Sequence, residues 1–228
     1  MAHPSTATSQ TATAADYVPF DPRPYGAHGK MLGLVPPGST VLDVGSSSGY
    51  LAEQLVARDC TVTGLELDPV AGRFAERWCE QVLVGDVETM ELALAPATFD
   101  VVLCGDILEH LRDPTAALAR WRPLLRRGGR LVLSTPNIAN VRIRMLLLFG
   151  TFRYTERGIL DRTHTHLFTR RSLRESLRRA GYRPVIEDYT VPLPRRIRRD
   201  DLERVTHAVA RIRPTLFAHQ WVIAAEPV

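Results

Sequence analysis

Residues 41–55 read VLDVGSSSGYLAEQL and contain the pattern that decides the fold. A short apolar run ends in Asp43-Val44-Gly45, a turn of small residues follows, and from Tyr50 onward apolar residues recur at helical spacing. Gly45 and Gly49 permit a tight turn and the close approach of a ligand. The first turn of a helix offers backbone N–H donors. The stretch therefore predicts a buried strand, a ligand-binding turn and a helix.

The same alternation continues on the carboxyl side of this stretch. Strands are predicted at residues 40–45, 61–67, 81–84, 99–105, 129–135, 183–191 and 215–225. Between them, helices begin at Pro69 and at Asp113-Pro114, the second ending at Gly128-Gly129, and a third covers residues 170–180 up to Gly181. Strands that alternate with helices form parallel βαβ units. The pattern predicts the α/β class, as a Rossmann-like, doubly wound, seven-stranded, mainly parallel sheet with an antiparallel last strand.

The domain organisation follows from the positions where the alternation of strands and helices is interrupted. Residues 1–16 are rich in Thr, Ala and Ser and are predicted to be a disordered tail, and residues 17–228 form a single domain. Residues 17–30 and 136–170 fit no strand–helix pair, and we expect both to cap the ligand-binding edge, since long loops in compact domains are usually functional. Within the second cap, residues 136–170, the run VRIRMLLLFG at 141–150 favours a helix packed on the domain over contact with lipid or with an apolar substrate.

Composition limits the partners and the compartment. The formal net charge of +4 does not call for nucleic acid, and the arginines at 195–199 are followed at once by acids, which favours a solvated helix start. No apolar run approaches the roughly 20 residues of a membrane span, and no signal peptide is recognisable. The three cysteines lack C-x-x-C spacing, which favours a reducing compartment. We expect a cytoplasmic protein without nucleic-acid or membrane partners.

Acidic residues stand at the predicted ends of the strands. Glu66 lies 17 residues beyond Gly49, near the spacing at which an acid meets ribose hydroxyls in βαβ nucleotide sites. Asp86 ends the third strand, where it can accept a hydrogen bond from an adenine amine. A nicotinamide site would require G-x-G-x-x-G, but Ser47 and Tyr50 occupy the second and third glycine positions.

The segments DVGSSSG, ELD, GDVE, FDVVLCGDILEHLRDP and GGRLVLSTPN together resemble the class I methyltransferases that use S-adenosylmethionine (SAM), over roughly residues 38–190. The resemblance implies SAM as the cofactor, with its methionine end at Asp43, Gly45, Gly49 and Gly105, its ribose at Glu66 and its adenine at Asp86 and Val87. Ser46, Ser47 and Leu67 complete the predicted cofactor site. Ser47 departs from the family, which more often has glycine there.

The segment after the fourth strand, Asp106-Ile107-Leu108-Glu109-His110, is expected to face the methyl group. His110 is predicted to be a general base. Two alternatives stay open. Asp106, Glu109 and His110 resemble an acid-x-x-Glu-His run of ubiquinone-biosynthesis O-methyltransferases and could bind a divalent metal, although no metal is our prediction; or His110 only caps its loop.

Residues 161–169, DRTHTHLFT, resemble a D-R-T-H…F-T signature of bacterial methyltransferases of secondary metabolism and glycan assembly. The resemblance implies that Asp161, Arg162 and His164 border the acceptor; a self-satisfied Asp–Arg–His network is the alternative. We therefore predict His110, His164 and Asp161 as catalytic residues. The predicted function is methyl transfer from SAM to an oxygen or nitrogen of a small molecule. A non-catalytic SAM-binding scaffold is the other hypothesis, and a homodimer is left open.

Overall fold

The computed structural model describes residues 20–21, 23–191 and 200–228, and within these ranges seven strands form one sheet. The strands are β1 (Thr40–Val44), β2 (Thr61–Glu66), β3 (Gln81–Val84), β4 (Phe99–Gly105), β5 (Leu125–Pro136), β6 (Tyr182–Thr190) and β7 (Gln220–Pro227). Their order is β3-β2-β1-β4-β5-β7-β6. Neighbours among β1 to β5 are parallel, and β7 runs antiparallel to both β5 and β6. The predicted fold class is confirmed.

Helices connect the strands, and several of them begin at a side chain that caps the first turn. They are α1 (Ala27–Leu34), α2 (Tyr50–Val56), α3 (Pro69–Ala75), α4 (Pro114–Trp121), α5 (Val141–Leu148), α6 (Arg170–Arg179), α7 (Asp200–Ala210) and α8 (Pro214–Phe217). The Asp68 carboxylate caps α3, and Thr169 forms a capping box with Ser172 at α6. The cap residue in each case satisfies a backbone N–H that has no partner inside its helix.

Apolar side chains cover both faces of the sheet. Trp121, Tyr182 and Trp221 are fully buried in the cluster on one face. Met31 and Leu55 belong to the cluster on the other face, so α1 packs as part of the core. Burial on both faces fixes the register of the central strands, because a slip of one residue would exchange their two sides.

Two predicted boundaries are wrong. Gly128-Gly129 does not end the fourth helix, because α4 stops at Trp121 and a short 3-10 turn containing Pro123 follows. Pro123 has no N–H with which to continue the helix, and the two glycines lie inside β5. The last strand begins at Gln220 rather than at 215, since residues 214–217 form the short helix α8.

The remaining expectations on organisation concern the ends of the chain. The predicted tail at 1–16 and the arginines at 195–199 lie outside the described residues, while the acids that follow those arginines open α7. Within the described ranges, no helix has the length and apolar character that crossing a bilayer requires.

Candidate active site

The carboxyl ends of the parallel strands meet at one edge of the sheet. Asp43, Glu66, Asp86 and Asp106 lie in or directly after β1, β2, β3 and β4 respectively. In open α/β sheets, ligands bind at this edge where the strand order reverses, here between β1 and β4. The candidate site therefore begins with four carboxylates at the switch point.

Asp43 is a buried acid that forms no ion pair with any described residue. Its side chain is 1% exposed, and its Oδ2 has no hydrogen-bond donor among the described residues. Burial, followed by the nearby charge of Glu66, raises the pKa of Asp43 to about 7. An unsatisfied buried acceptor is costly, so this position suits a cationic hydrogen-bond donor.

The turn after β1 is held by its own backbone donors. The N–H groups of Gly45 and Ser46 donate to the Leu65 carbonyl at 2.8 and 3.0 Å, and the Ser47 N–H donates to Oε2 of Glu66 at 2.7 Å. These three N–H groups are therefore occupied within the protein, and the donors expected from the first turn of the helix belong to α2, which begins at Tyr50. Glu66 also accepts from the Asp68 N–H at 2.9 Å. A carboxylate has about four acceptor positions, so two remain for ribose hydroxyls.

The two glycines of the turn are required by contacts within the protein. Gly45 has a φ of +75°, and a Cβ there would lie 2.1 Å from Cδ1 of Ile107. Gly49 has a φ of +83°, and a Cβ there would lie 2.9 Å from the Cα of Ala75 in α3. Ser47 adopts a φ of +51° without being glycine, which costs on the order of 1 kcal/mol.

The predicted adenine end is formed by the loop after β3. Oδ1 of Asp86 accepts from the Glu88 N–H at 2.9 Å, and Oδ2 lies 3.6 Å from the Arg112 guanidinium. Val87 is buried, while Leu67 is 68% exposed and leaves an apolar surface for a flat ring. Asp86 thus shapes its own loop, and one of its oxygens points toward a cation.

His110 and His164 form an edge-to-face pair with ring centroids 4.9 Å apart. Nδ1 of His110 is 3.3 Å from the Thr163 carbonyl, and Nδ1 of His164 is 3.1 Å from the Ile159 carbonyl. A carbonyl can only accept, so each Nδ1 carries a proton in these contacts, which directs any lone pair on the ring to Nε2. Burial, and then the neighbouring His164, lower the pKa of His110. The lowered pKa favours the neutral form of His110, in which Nε2 could accept a proton.

Glu109 connects this pair to the sheet. Its buried Oε2 accepts from the Thr135 hydroxyl at 2.9 Å, its Oε1 has no partner among the described residues, and its carbonyl accepts from the Thr165 and His166 N–H groups at 2.8 and 3.0 Å. Burial, and then the charge of Asp106, hold the pKa of Glu109 well above its ordinary value. The cap around His164 is thereby fastened to the loop after β4.

The metal alternative acquires a different ligand set in the structure. The ligand atoms of Glu109, His110 and His164 all lie within 4.8 Å of one another. Asp106, which the sequence placed in this set, instead accepts from the Ser134 hydroxyl at 2.8 Å and from the Gln220 side-chain amide at 2.7 Å. Two imidazoles and a carboxylate fit a divalent transition metal.

Within the described residues, the side chains of Asp161 and Arg162 form no hydrogen bond to either histidine, although the Asp161 carbonyl accepts from the His164 N–H at 3.1 Å. Oδ1 of Asp161 accepts from the Thr163 N–H and hydroxyl at 2.9 and 2.7 Å, and Arg162 forms an ion pair with Glu156. Among the described contacts, the Asp–Arg–His network suggested as an alternative is not formed. Asp161 instead fixes the turn from which Thr163 contacts His110.

Residues that the sequence did not single out complete the site. His28 accepts the Asp21 N–H on Nδ1 at 3.0 Å, and its ring lies 5.0 Å from that of Tyr50. A cavity of about 200 Å³ separates the start of α1 from the start of β7 and includes His219 and Gln220 in its lining. An aromatic residue directly after Gly49 was the available signal for Tyr50. His28 and Gln220 had none, because they come from distant parts of the chain.

Comparison with known proteins agrees with this geometry. The profile of the methyltransferase domain family matches residues 16–187. Ubiquinone biosynthesis O-methyltransferases from Paracidovorax citrulli and Acinetobacter baylyi are both 32% identical, over 125 and 152 residues. The matches cover 52% and 63% of this chain and the same shares of those proteins, so the chain spans less than two thirds of each relative.

Among solved structures, Burkholderia thailandensis 1,6-didemethyltoxoflavin-N1-methyltransferase, with bound 1,6-didemethyltoxoflavin and S-adenosylhomocysteine, has the same fold. The TM-score is 0.58 at 21% identity, over 89% of this chain and 76% of that one.

Proposed function

Because the chain belongs to the methyltransferase domain family and carries a SAM-dependent domain, we propose that it transfers the methyl group of SAM to an oxygen or nitrogen of a small molecule. The observation that carries the proposal is the His110–His164 ring pair after β4, in which each Nδ1 contacts a backbone carbonyl and each Nε2 is left for another partner. A hydroxyl acceptor is favoured over nitrogen, because a hydroxyl needs a base and because the relatives named above are O-methyltransferases.

The acids at the carboxyl edge of the sheet can be assigned to parts of the SAM molecule. Asp43 would bind the ammonium group of SAM, Glu66 the ribose and Asp86 the adenine amine, as predicted from the sequence. Val87 and Leu67 would contact the adenine ring, and Gly45, Ser46, Ser47, Gly49 and Gly105 would shape the methionine end. The unsatisfied Oδ2 of Asp43 supports this orientation, since an ammonium supplies the missing donor.

Methyl transfer requires a methyl donor, a methyl acceptor aligned with it, and a base. SAM supplies an activated methyl group on a cationic sulfur. The chain's task is to hold the acceptor in line, which accounts for much of the rate, and to remove its proton. His110 would take that proton on Nε2, while His164 packs against its ring and Asp161 orders the turn behind it.

Metal assistance is the second candidate for the same histidines. It is supported by the unpartnered Oε1 of Glu109 beside the two rings. Glu109, His110 and His164 would hold the ion, which would polarise an acceptor oxygen. A non-catalytic SAM-binding scaffold remains the alternative from another class.

The wider setting belongs to the proposal as well. Secondary metabolism or glycan assembly is proposed on the D-R-T-H resemblance, with a small molecule rather than nucleic acid as the acceptor and a homodimer left open. A cytoplasmic location is supported by three buried free cysteines.

The test is release of S-adenosylhomocysteine from SAM with catechol, glucosamine and tyramine as acceptors. His110→Gln should lower turnover by about 10²- to 10⁴-fold with unchanged SAM affinity. His166→Gln is the matched control, because His166 lies on the cap beside His164 and its Nδ1 also contacts a backbone carbonyl, that of Leu111. Equal turnover in both variants would remove His110 from the mechanism. SAM binding without turnover on any acceptor would favour the scaffold.

A further inference from the structure

The second cap carries large apolar side chains that the fold does not bury. In α5, Ile143 is buried and Leu146 is partly buried, and both pack with Ile159 and Leu160. The exposed ones form what we term the cap tip: Met145, Leu147, Leu148, Phe149, Phe152 and Tyr154. Leu148 and Phe149 are 73% and 75% exposed. Exposed apolar residues that are scattered singly are normal, whereas a group of them within one segment indicates an interaction surface. We propose, in place of the expectation from the sequence that the chain has no membrane partner, that the cap tip docks on the surface of an anionic lipid bilayer.

The composition of the cap tip suits the boundary between lipid headgroups and acyl chains. The Phe152 and Tyr154 rings pack edge to face with centroids 5.3 Å apart, so they support each other while both remain exposed. Aromatic residues with one apolar side and one wet side favour that boundary. A helix of eight residues cannot cross a bilayer, so it would lie in the plane of the interface.

The charges around the cap tip select the kind of lipid. Arg142, Arg144, Arg153 and Arg157 are all exposed on the same segment. Glu156 is the acid of residues 141–157, and it is paired with Arg162. Apolar side chains ringed by arginines favour anionic headgroups, with each cation contributing about 1 kcal/mol near such a surface. Two copies facing each other through this surface would bring like charges together, which argues against self-association.

The docked cap would be mechanically joined to the active site. Ile159 and Leu160 lie between the cap tip and His164, and the Asn140 amide at the start of α5 donates to the Ala218 carbonyl at 2.9 Å. The proposed membrane contact would therefore be joined to His164, whose Nδ1 lies 3.1 Å from the Ile159 carbonyl, through the residues that pack beneath α5. An acceptor dissolved in the bilayer would follow from this, and that step alone rests on the proposed function.

The experiment is cosedimentation of the full chain with vesicles of phosphatidylcholine, with and without roughly 30% phosphatidylglycerol. The double variant Leu148→Ser, Phe149→Ser should lose at least about tenfold in binding to the anionic vesicles. Val228→Ser is the matched control, because Val228 is also 75% exposed but follows β7 at the opposite edge of the sheet. Unchanged melting temperature and SAM affinity would show that the variants fold.

The contribution of the arginines to vesicle binding is tested with a separate pair of variants. Arg153→Gln, Arg157→Gln should weaken binding several-fold, whereas Arg127→Gln, Arg171→Gln changes the net charge equally on exposed arginines elsewhere and should not. Failure of the wild-type chain to bind anionic vesicles, or equal binding by all variants, would overturn the proposal. A dimer in solution that the Leu148, Phe149 variant dissociates, without vesicle binding, would overturn it in favour of a second copy.

Discussion

Replacing Asp43 by Asn should abolish the pH dependence of SAM affinity between pH 6 and 7. The buried carboxyl has a pKa of about 7 because of its burial and the charge of Glu66. Only its ionised form attracts an ammonium group, so binding must first remove a proton from part of the protein. The affinity for SAM should therefore rise with pH, and SAM binding should release a proton in this range.

The size of the effect can be worked from that pKa. A group titrating at about 7 is about one tenth ionised at pH 6 and half ionised at pH 7, so affinity should rise about fivefold. About half a proton should be released per SAM bound at pH 7. Asp43→Asn also loses a charge-assisted hydrogen bond of about 1.5–3 kcal/mol, which corresponds to a roughly 10- to 150-fold weaker affinity.

Titration calorimetry in two buffers with different ionisation enthalpies measures both affinity and proton release. The range stays below pH 7.5 or so, since an α-amino group itself loses its proton near pH 8. Asp59→Asn is the control, because Asp59 is an exposed acid whose positive φ asparagine tolerates. The reasoning is refuted if Asp43→Asn keeps the fivefold change, or if wild-type affinity is flat from pH 6 to 7.

Three further outcomes are expected. The rate of S-adenosylhomocysteine release should rise with pH through a pKa below the ordinary histidine value and level off near neutrality, since burial keeps His110 unprotonated; a limb that persists in His110→Gln would assign it to another group. Gly45→Val should abolish SAM binding in calorimetry because of the clash with Ile107 and the positive φ, and Ile107→Ala should restore part of it if the clash contributes. Glu66→Ala should weaken SAM binding by about 1.5–3 kcal/mol and, by freeing the Ser47 N–H, speed limited proteolysis of the turn; unchanged affinity would remove Glu66 from the ribose site.

The sequence was sufficient for the sheet because its strands are apolar runs of nearly the length that the structure has. It was insufficient at residues 125–129, where two glycines looked like a helix end. A Cβ on Gly129 would lie 3.0 Å from the Phe99 and Asp100 carbonyls, so this glycine serves close strand contact beside an irregular register. Periodicity carries no information on such contacts between strands. The strand prediction at residues 214–217 was wrong for another reason, since a short apolar run does not distinguish a helix from a strand.

Part of the candidate site followed from topology alone, because parallel strands bring their final residues to one edge. That argument placed Asp43 and Glu66 but could not say what holds them. Gln220 donates to Asp106 across 114 positions of sequence, and this contact exists only because β7 inserts between β5 and β6. The metal alternative changed its third ligand for the same reason. Asp106 is drawn toward β7, and His164 arrives from the cap instead.

The protonation pattern of the histidines shows why residue types alone could not separate a base from a loop cap. Both roles were open for His110, and the geometry makes them compatible, because the contact with the cap uses Nδ1 while the proposed base would use Nε2. Nδ1 of His110 bonds to the Thr163 carbonyl of the cap, and that bond is what leaves the lone pair on Nε2. The turn that presents this carbonyl is fixed by Asp161, and the segment is fastened by the Thr165 N–H to the Glu109 carbonyl. If His110 is the base, as proposed, the D-R-T-H segment would set its tautomer through the backbone carbonyl of Thr163, a contact that the residue types of the motif do not reveal.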